Sequence, residues 1–397
     1  MTKINLDRYR GLRRVVDDTW INIHPIQRGG VLPPESREAL ISFGDGYSTC
    51  DLCIEGRVDL VKTPPILDFA GDVAKFLNMD EVRFTPGARG AKQAVFKSIA
   101  ESGDTIVIDS LAHYTTYIAA EVNGLKIVEV PHGGYPEFRI KTEDYVAKIE
   151  EVRRKTGELP AAVLLTHVDY RYGNLADAAD VGKIAGEYGV PYVLNAAYSA
   201  GVMPVDGKKL GVDFLICSGH KSWGASGPVG ILATTYEFSG KTFRTSAIKG
   251  PWSGRAFLKK DVYLFGCPPV FGAPVATLMA SFPHVVERVK HWDEEVEKIR
   301  WLVNELERIK DFHQLGERPR QHTLVTFETP SFHKVAKKHS RKGFFLYEEL
   351  KKKKIAGVHA GMTKMIKLNS YGLTKEQLQK VADAFQDIAR AYEVEVE

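Results

Sequence analysis

The stretch YSTCDLC, residues 47–53, places Cys50 and Cys53 three apart in a chain that has only four cysteines. Such a pair can hold a metal, close and open as a disulfide, or carry sulfur on a thiolate. The spacing alone does not choose among these. A lysine far downstream narrows the choice. In VDFLICSGHKSWGASGPVGIL, residues 212–232, an apolar run ends at Cys217 and a polar turn follows: Ser218, Gly219, His220 and Lys221. Gly224, Gly227 and Gly230 beyond it let the backbone fold back and approach a ligand closely. A lysine at the carboxyl end of a parallel strand lies where open α/β sheets bind ligands. The turn thus offers an amine for a Schiff base and two phosphate-binding groups, the combination that pyridoxal phosphate requires. The alternative, a surface lysine at a strand end, does not account for the Ser-Gly-His-Lys-Ser run and its glycines.

Two upstream segments fit the same chemistry. FTPGARGAKQAVF, residues 84–96, is a glycine-containing turn entering a helix. Its free N–H groups form an anion site, so Ala88 and Arg89 are expected at a cofactor phosphate. SLAHYTTY, residues 110–117, follows an apolar run and puts His113 where an imidazole can stack on a pyridine ring. Asn195 ends PYVLNAA, the place where such folds usually set an Asp against the pyridine nitrogen.

These residues need a sheet to carry them. DTIVIDS (104–110), LKIVEV (125–130), AAVLLTH (161–167), PYVLNAA (191–197), DFLICSG (213–219) and VGILATT (229–235) are apolar without polar alternation, the mark of strands covered on both faces. Helical stretches at 88–102, 142–155 and 177–188 lie between them. The pattern predicts an α/β fold with a doubly wound, mostly parallel sheet. From about residue 275 it changes. A long helix, or two broken near Pro283, precedes the strands TLVTFET and MIKLNSYG. A last helix starts at Thr374, with Gln377 completing a capping box. We therefore expect an N-terminal arm and large domain over 1–274 and a smaller α+β domain over 275–397.

The 397 residues are 44% hydrophobic and 26% charged, as in an ordinary globular enzyme. No apolar run reaches the ~18 residues of a membrane span, and the polar start MTKINLDRYRGLRR has no signal-peptide core. Few cysteines in a long chain imply a reducing, cytoplasmic setting. The net charge is +4, yet Lys334–Lys354 alone holds nine Lys/Arg against two Glu. That stretch is either a solvated helix face or a contact for a polyanion such as nucleic acid.

The ordered set of segments NIHPIQRGGVLPPESREAL, the Cys50–Cys53 pair, TPGARGAKQAVF, HVDYRYGNLAD, SGHKS, LFGCPP and KLNSYGLT resembles fold-type I pyridoxal phosphate enzymes near the cysteine desulfurases. More closely, it is similar to archaeal O-phosphoseryl-tRNA:cysteinyl-tRNA synthases. The match runs from about residue 22 to 374. The resemblance implies that Ala88, Arg89, His113, Asn195, Ser218, Gly219, His220 and Lys221 bind pyridoxal phosphate, with Lys221 joined to it. It implies β-replacement of phosphate by sulfur on phosphoseryl-tRNA(Cys), with Lys221 and His113 catalytic. Cys50, Cys53 and Cys267 of LFGCPP would handle sulfur as persulfide, although three cysteines could equally ligate an iron–sulfur cluster. Cys217 reads as a small core residue. The family also implies a homodimer, and a complex with the O-phosphoseryl-tRNA synthetase. Two departures suit an esterified substrate. Lys367-Leu368-Asn369 stands where relatives that bind free amino acids carry an arginine carboxylate clamp, and Asn195 replaces Asp. A desulfurase or lyase acting on free cysteine or selenocysteine, a selenium-transferring relative, and a non-enzymatic tRNA- or cluster-binding scaffold are the competing readings.

Overall fold

The computed structural model describes residues 5, 7, 10–12, 14–44, 64–244, 248–256 and 272–397. Cys50, Cys53 and Cys267 lie outside the described residues.

Seven strands form one sheet in the order Glu81–Thr85, Gly230–Thr234, Phe214–Ser218, Tyr192–Asn195, Ala162–Thr166, Thr105–Asp109, Lys126–Val130. The six apolar runs are all strands of this sheet, and Glu81–Thr85 is added at its edge. The inner strands Ala162–Thr166, Tyr192–Asn195 and Phe214–Ser218 are buried throughout, which is why they read without alternation. Gly230–Thr234 alone runs antiparallel to its neighbours. Only eleven residues separate it from Phe214–Ser218, fewer than a parallel crossover needs. Strand order reverses between Thr105–Asp109 and Ala162–Thr166, so the carboxyl ends of the strands open a crevice there.

The helix Gly87–Ile99 packs against the sheet through glycine. A Cβ on Gly230 would lie 2.4 Å from both the Gly87 carbonyl carbon and Thr85 Oγ1. This contact brings the helix start to the strand ends.

The long C-terminal helical region does not break at Pro283. Gly272–Arg288 runs through that proline, and a 3-10 turn at Val289–His291 makes the break instead. Asp293, Glu294 and Glu295 crowd the first turn of the next helix, Trp292–Glu307, where acidic groups favour a helix start. Val275, Leu278, Val285, Trp292 and Val296 pack into the large-sheet core. Ile299, Leu302, Val303 and Leu306 pack into a second core, over a three-stranded antiparallel sheet of His313–Leu315, Leu324–Glu328 and Met365–Asn369. The last helix, Lys375–Ala391, has the expected capping box between Thr374 and Gln377. Ile21–Asn22 pairs with Ile355–Ala356 and ties the N-terminal arm to this second region. No helix among the described residues is long and apolar enough to cross a membrane.

Gly230→Ala should destabilise the fold by about 1–3 kcal/mol through overpacking. Gly186→Ala, on an exposed helix position with open space around its Cβ, should stabilise it by up to ~1 kcal/mol. Denaturant midpoints of the two variants test this ordering.

Candidate active site

The strand Phe214–Ser218 leads directly into one helical turn, Gly219–Ser222. Several contacts hold that turn. Gly219 donates its N–H to the Val229 carbonyl at 2.7 Å. Arg288 donates to the Ser222 carbonyl and, through Nε at 2.9 Å, to the Gly201 carbonyl. The N-terminal arm presses on the other side: a Cβ on Gly30 would lie 2.1 Å from the His220 carbonyl oxygen, and one on Gly29 2.8 Å from that of Lys221. Lys221 Nζ then sits 4.4 Å from the centroid of the Tyr198 ring. Burial pulls its pKa down to about 8.

Ala88, Arg89, His113, Asn195, Ser218, His220 and Lys221 line one cavity of about 950 Å³. Gly219 stands behind it, its N–H already engaged. At one end the helix Gly87–Ile99 begins with no side-chain cap and no acidic residue in its first turn. Its first N–H groups are therefore free for an anion. Ser218 Oγ and His220 Nδ1 face each other at 3.4 Å beside it. Arg89 donates to the Tyr114 hydroxyl at 2.8 Å.

His113 caps the helix Tyr114–Val122: its Nδ1 accepts from the Thr115 N–H at 3.3 Å and lies 2.9 Å from Thr115 Oγ1. Burial, then the charges of Lys221, Lys92, Arg89 and Lys367, lower its pKa to about 4, so the ring is neutral. Asn195 ends its strand with Oδ1 buried and without a hydrogen-bond partner among the described residues. Ser110 Oγ, Thr166 Oγ1 and Tyr198 OH on the same cavity share that condition. Buried polar atoms normally have partners. An amine, a free helix start and these unsatisfied groups fit a phosphorylated heteroaromatic aldehyde such as pyridoxal phosphate.

Sequence reasoning missed several residues on this cavity. Lys92, Tyr170, Arg171 and Tyr198 line it, and Arg288 braces the lysine turn. Lys92 follows the turn at Gly87–Gly90 directly, but nothing local signals that it is buried. Lys367, in place of a carboxylate-clamping arginine, donates to the Tyr170 carbonyl at 2.7 Å and lies 3.2 Å from that ring's centroid. Burial lowers its pKa to about 8. Cys217 is buried and free in its strand, with its thiol pKa raised by burial. Among the described residues, no three His, Cys, Asp or Glu side chains are grouped to hold a metal.

The fold is that of the fold-type I pyridoxal phosphate enzymes. A cysteine desulfurase from Thermococcus onnurineus superposes with a TM-score of 0.71 at 21% identity, covering 94% of this chain and 96% of that one. An aspartate aminotransferase from Thermus thermophilus gives 0.68 at 16%, covering 94% and 99%. Closer likeness is specific. Residues 68–390 match the family described as O-phosphoseryl-tRNA(Sec) selenium transferase. The O-phospho-L-seryl-tRNA:Cys-tRNA synthase 2 of Archaeoglobus fulgidus is 59% identical over 377 residues, 95% of this chain and 96% of the relative. The corresponding synthase of Methanopyrus kandleri is 52% identical over 99% of this chain and all of the relative. A crystal structure of a SepCysS–SepCysE N-terminal domain complex gives a TM-score of 0.88 at 48% identity, covering 98% and 100%. The chain belongs to the O-phospho-L-seryl-tRNA:Cys-tRNA synthase family.

In the apoprotein, trace acetylation of Lys221 should rise with pH only until the amine is half free near pH 8, then level off. An exposed lysine keeps gaining reactivity to about pH 10.4. Mass-spectrometric labelling across pH measures the difference.

Proposed function

We propose that this enzyme converts O-phosphoseryl-tRNA(Cys) to cysteinyl-tRNA(Cys) with pyridoxal phosphate, exchanging phosphate on Cβ for sulfur. The observation that carries this reading is a buried lysine amine, Lys221, at the strand-end crevice of a chain 59% identical to a synthase named for that conversion. The N–H groups of Ala88 and Arg89, with Ser218 and His220, would hold the cofactor phosphate. Asn195 would meet the pyridine nitrogen, and His113 would cover the ring face. When bound, the cofactor supplies an electron sink for negative charge at Cα. Lys221, its pKa lowered by burial, takes the Cα proton near neutral pH and later returns it. Asn195 cannot hold a pyridinium proton as firmly as Asp would. Phosphate, a good leaving group once it is protonated, tolerates the weaker sink.

The substrate carries an ester in place of a carboxylate. A lysine whose Nζ is committed to a backbone carbonyl, as Lys367 is, then suffices where a bidentate arginine would otherwise be needed. Cys50, Cys53 and Cys267 are proposed as sulfur carriers. Attack of one thiolate on a neighbour's persulfide releases sulfide and leaves a disulfide. Their alternative role as iron–sulfur ligands predicts bound iron and a matching visible spectrum in anaerobically purified protein.

A homodimer, a complex with the O-phosphoseryl-tRNA synthetase and a cytoplasmic setting belong to the same proposal. The 48% identical structure, solved with a SepCysE domain, supports a further partner of that kind. A working division at residue 274 is supported by the two separate sheets, although the helix beyond it packs on the large core as far as Val296. The basic stretch is proposed to touch tRNA. Lys334, Arg341, Lys352 and Lys353 are paired there with Asp311, Glu348, Glu349 and Asp387. Lys351 and Lys354 have no ion pair among the described residues.

Incubation with phosphoseryl-tRNA and sulfide should yield cysteinyl-tRNA, and Lys221→Ala should abolish it with the fold intact. Recovery of unchanged phosphoserine from the wild type would overturn the assignment. Cys→Ser at Cys50, Cys53 or Cys267 should spare phosphate release yet impair transfer from a persulfide-generating donor. The loss should be smaller when free sulfide is abundant. Neutralising Lys351 and Lys354 should flatten the log–log salt dependence of tRNA binding by ~0.7–0.9 for each phosphate left without its lysine. An unchanged slope would return the stretch to a solvated face.

A further inference from the structure

Lys92 is a buried amine with no ion pair among the described residues. It is 2% exposed, lines the cavity, and donates to Thr115 Oγ1 at 2.8 Å and Thr116 Oγ1 at 3.2 Å. A methionine would fill the same space without the desolvation cost, so packing does not explain the ammonium. Its contacts continue. Thr115 Oγ1 accepts from Lys92 and can give its own proton to His113 Nδ1, 2.9 Å away. Nδ1 also accepts from the Thr115 N–H. With Nδ1 an acceptor twice over, the neutral ring carries its proton on Nε2. No partner for Nε2 is found among the described residues.

The proposed reaction, on which this inference rests, needs a proton at one step. Cleaving Cβ–O in a phosphomonoester dianion expels a phosphate trianion, a far poorer leaving group than its protonated form. We propose that Lys92, Thr115 and His113 form a proton relay to the departing phosphate, with Lys92 as the source. The Cα proton goes to Lys221. The electron pair it leaves becomes the Cα–Cβ double bond, and the Cβ–O pair departs with phosphate. His113 Nε2 gives its proton to that oxygen, Nδ1 takes the proton of the Thr115 hydroxyl, and the hydroxyl takes one from Lys92 Nζ. The ring changes tautomer and never becomes an anion, and Lys92 ends neutral. Between turnovers the chain runs in reverse: solvent protonates Nε2, Nδ1 returns its proton to the Thr115 hydroxyl, and the hydroxyl returns one to Lys92 Nζ.

The surrounding charges support this direction of transfer. Burial, and then the nearby Lys221, pull the Lys92 pKa down to about 7; Asp109 opposes the shift and Arg89 adds to it. His113, facing Lys221, Lys92, Arg89 and Lys367, stays neutral and so transfers a proton only if its other nitrogen is refilled. Lys92 is thus a positioning and proton-supplying residue that acts through His113.

Single-turnover release from the holoenzyme tests the relay with two leaving groups. Chloride from β-chloroalanyl-tRNA needs no proton, whereas phosphate from phosphoseryl-tRNA does. Lys92→Met and Thr115→Val should each slow phosphate release by ~10²–10⁴-fold, the usual worth of a general acid, and slow chloride release far less. Thr115→Ser should restore phosphate release. Equal slowing of both leaving groups, or unslowed phosphate, would overturn the relay. Its second readout does not depend on turnover: ¹⁵N shifts of His113 should report the Nε2–H tautomer in wild type and Thr115→Ser, and a mixture in Thr115→Val. A wild-type Nδ1–H ring would overturn it too. A wild type that releases neither leaving group overturns the reaction reading itself, and the histidine spectrum still judges the hydrogen-bond chain.

Discussion

An amine held out of water at the end of a parallel strand is the constraint on which the rest of the structure depends. Lysine prefers its charge solvated, so placing Lys221 in the crevice costs free energy unless the fold compels it. The compulsion comes from backbone, not from counter-ions. The carbonyls of Val229, Ser222 and Gly201 accept hydrogen bonds around the Gly219–Ser222 turn, Arg288 ties two of them together, and two glycines of the N-terminal arm leave no room for the turn to retreat. The lowered pKa is the chemical yield of that confinement.

The parallel sheet makes the confinement useful. Strands that run the same way end at the same edge, so Ser110, Thr166, Asn195 and Ser218 arrive at one crevice from four strands. The helix Gly87–Ile99 joins them because Gly230 lets it close on the sheet edge. The same edge therefore collects the groups proposed to hold the cofactor: an uncapped helix start, the hydroxyls and the amide without partners among the described residues, and the lysine. None of these groups is unusual alone; what distinguishes the site is their convergence at the topological switch point.

Much of this was legible in the sequence, for definite reasons. Double burial erases polar alternation, so six strands announced themselves. Capping is local, so Thr374 and Gln377 did as well. Ser218 to Lys221 carried enough chemistry in one turn to name a cofactor class. Other features depend on distant residues and stayed hidden. Glu81–Thr85 is a short edge strand whose Glu-Val-Arg-Phe-Thr pattern gives a weak signal. The helix Tyr114–Val122 is rich in β-branched and aromatic residues, and its start is set by the His113 side chain. The break at Val289–His291 is masked, in a local reading, by the more conspicuous Pro283. The burial of Lys92 follows only from the packing of Tyr114–Val122 over Gly87–Ile99.

Lys92, Lys221, Arg89 and Lys367 form one electrostatic neighbourhood, and each of the three lysines there has its pKa lowered. Such a cluster suits a cavity that must hold two phosphates, one on the cofactor and one on the substrate. Neutralising one cation per phosphate would suffice for binding alone. A larger excess of cations, with the three lysine amines partly or wholly desolvated, makes those amines hold their protons loosely. Loosely held protons are what an elimination needs when one group must accept a proton from carbon and another must supply one to oxygen at the same pH. Lys221 and Lys92 fit those roles by position. Lys221 is fixed on the strand end, 4.4 Å from the Tyr198 ring centroid, and Lys92 lies behind the histidine, hydrogen-bonded through Thr115. The same burial that makes both amines costly to fold makes them available as acid and base.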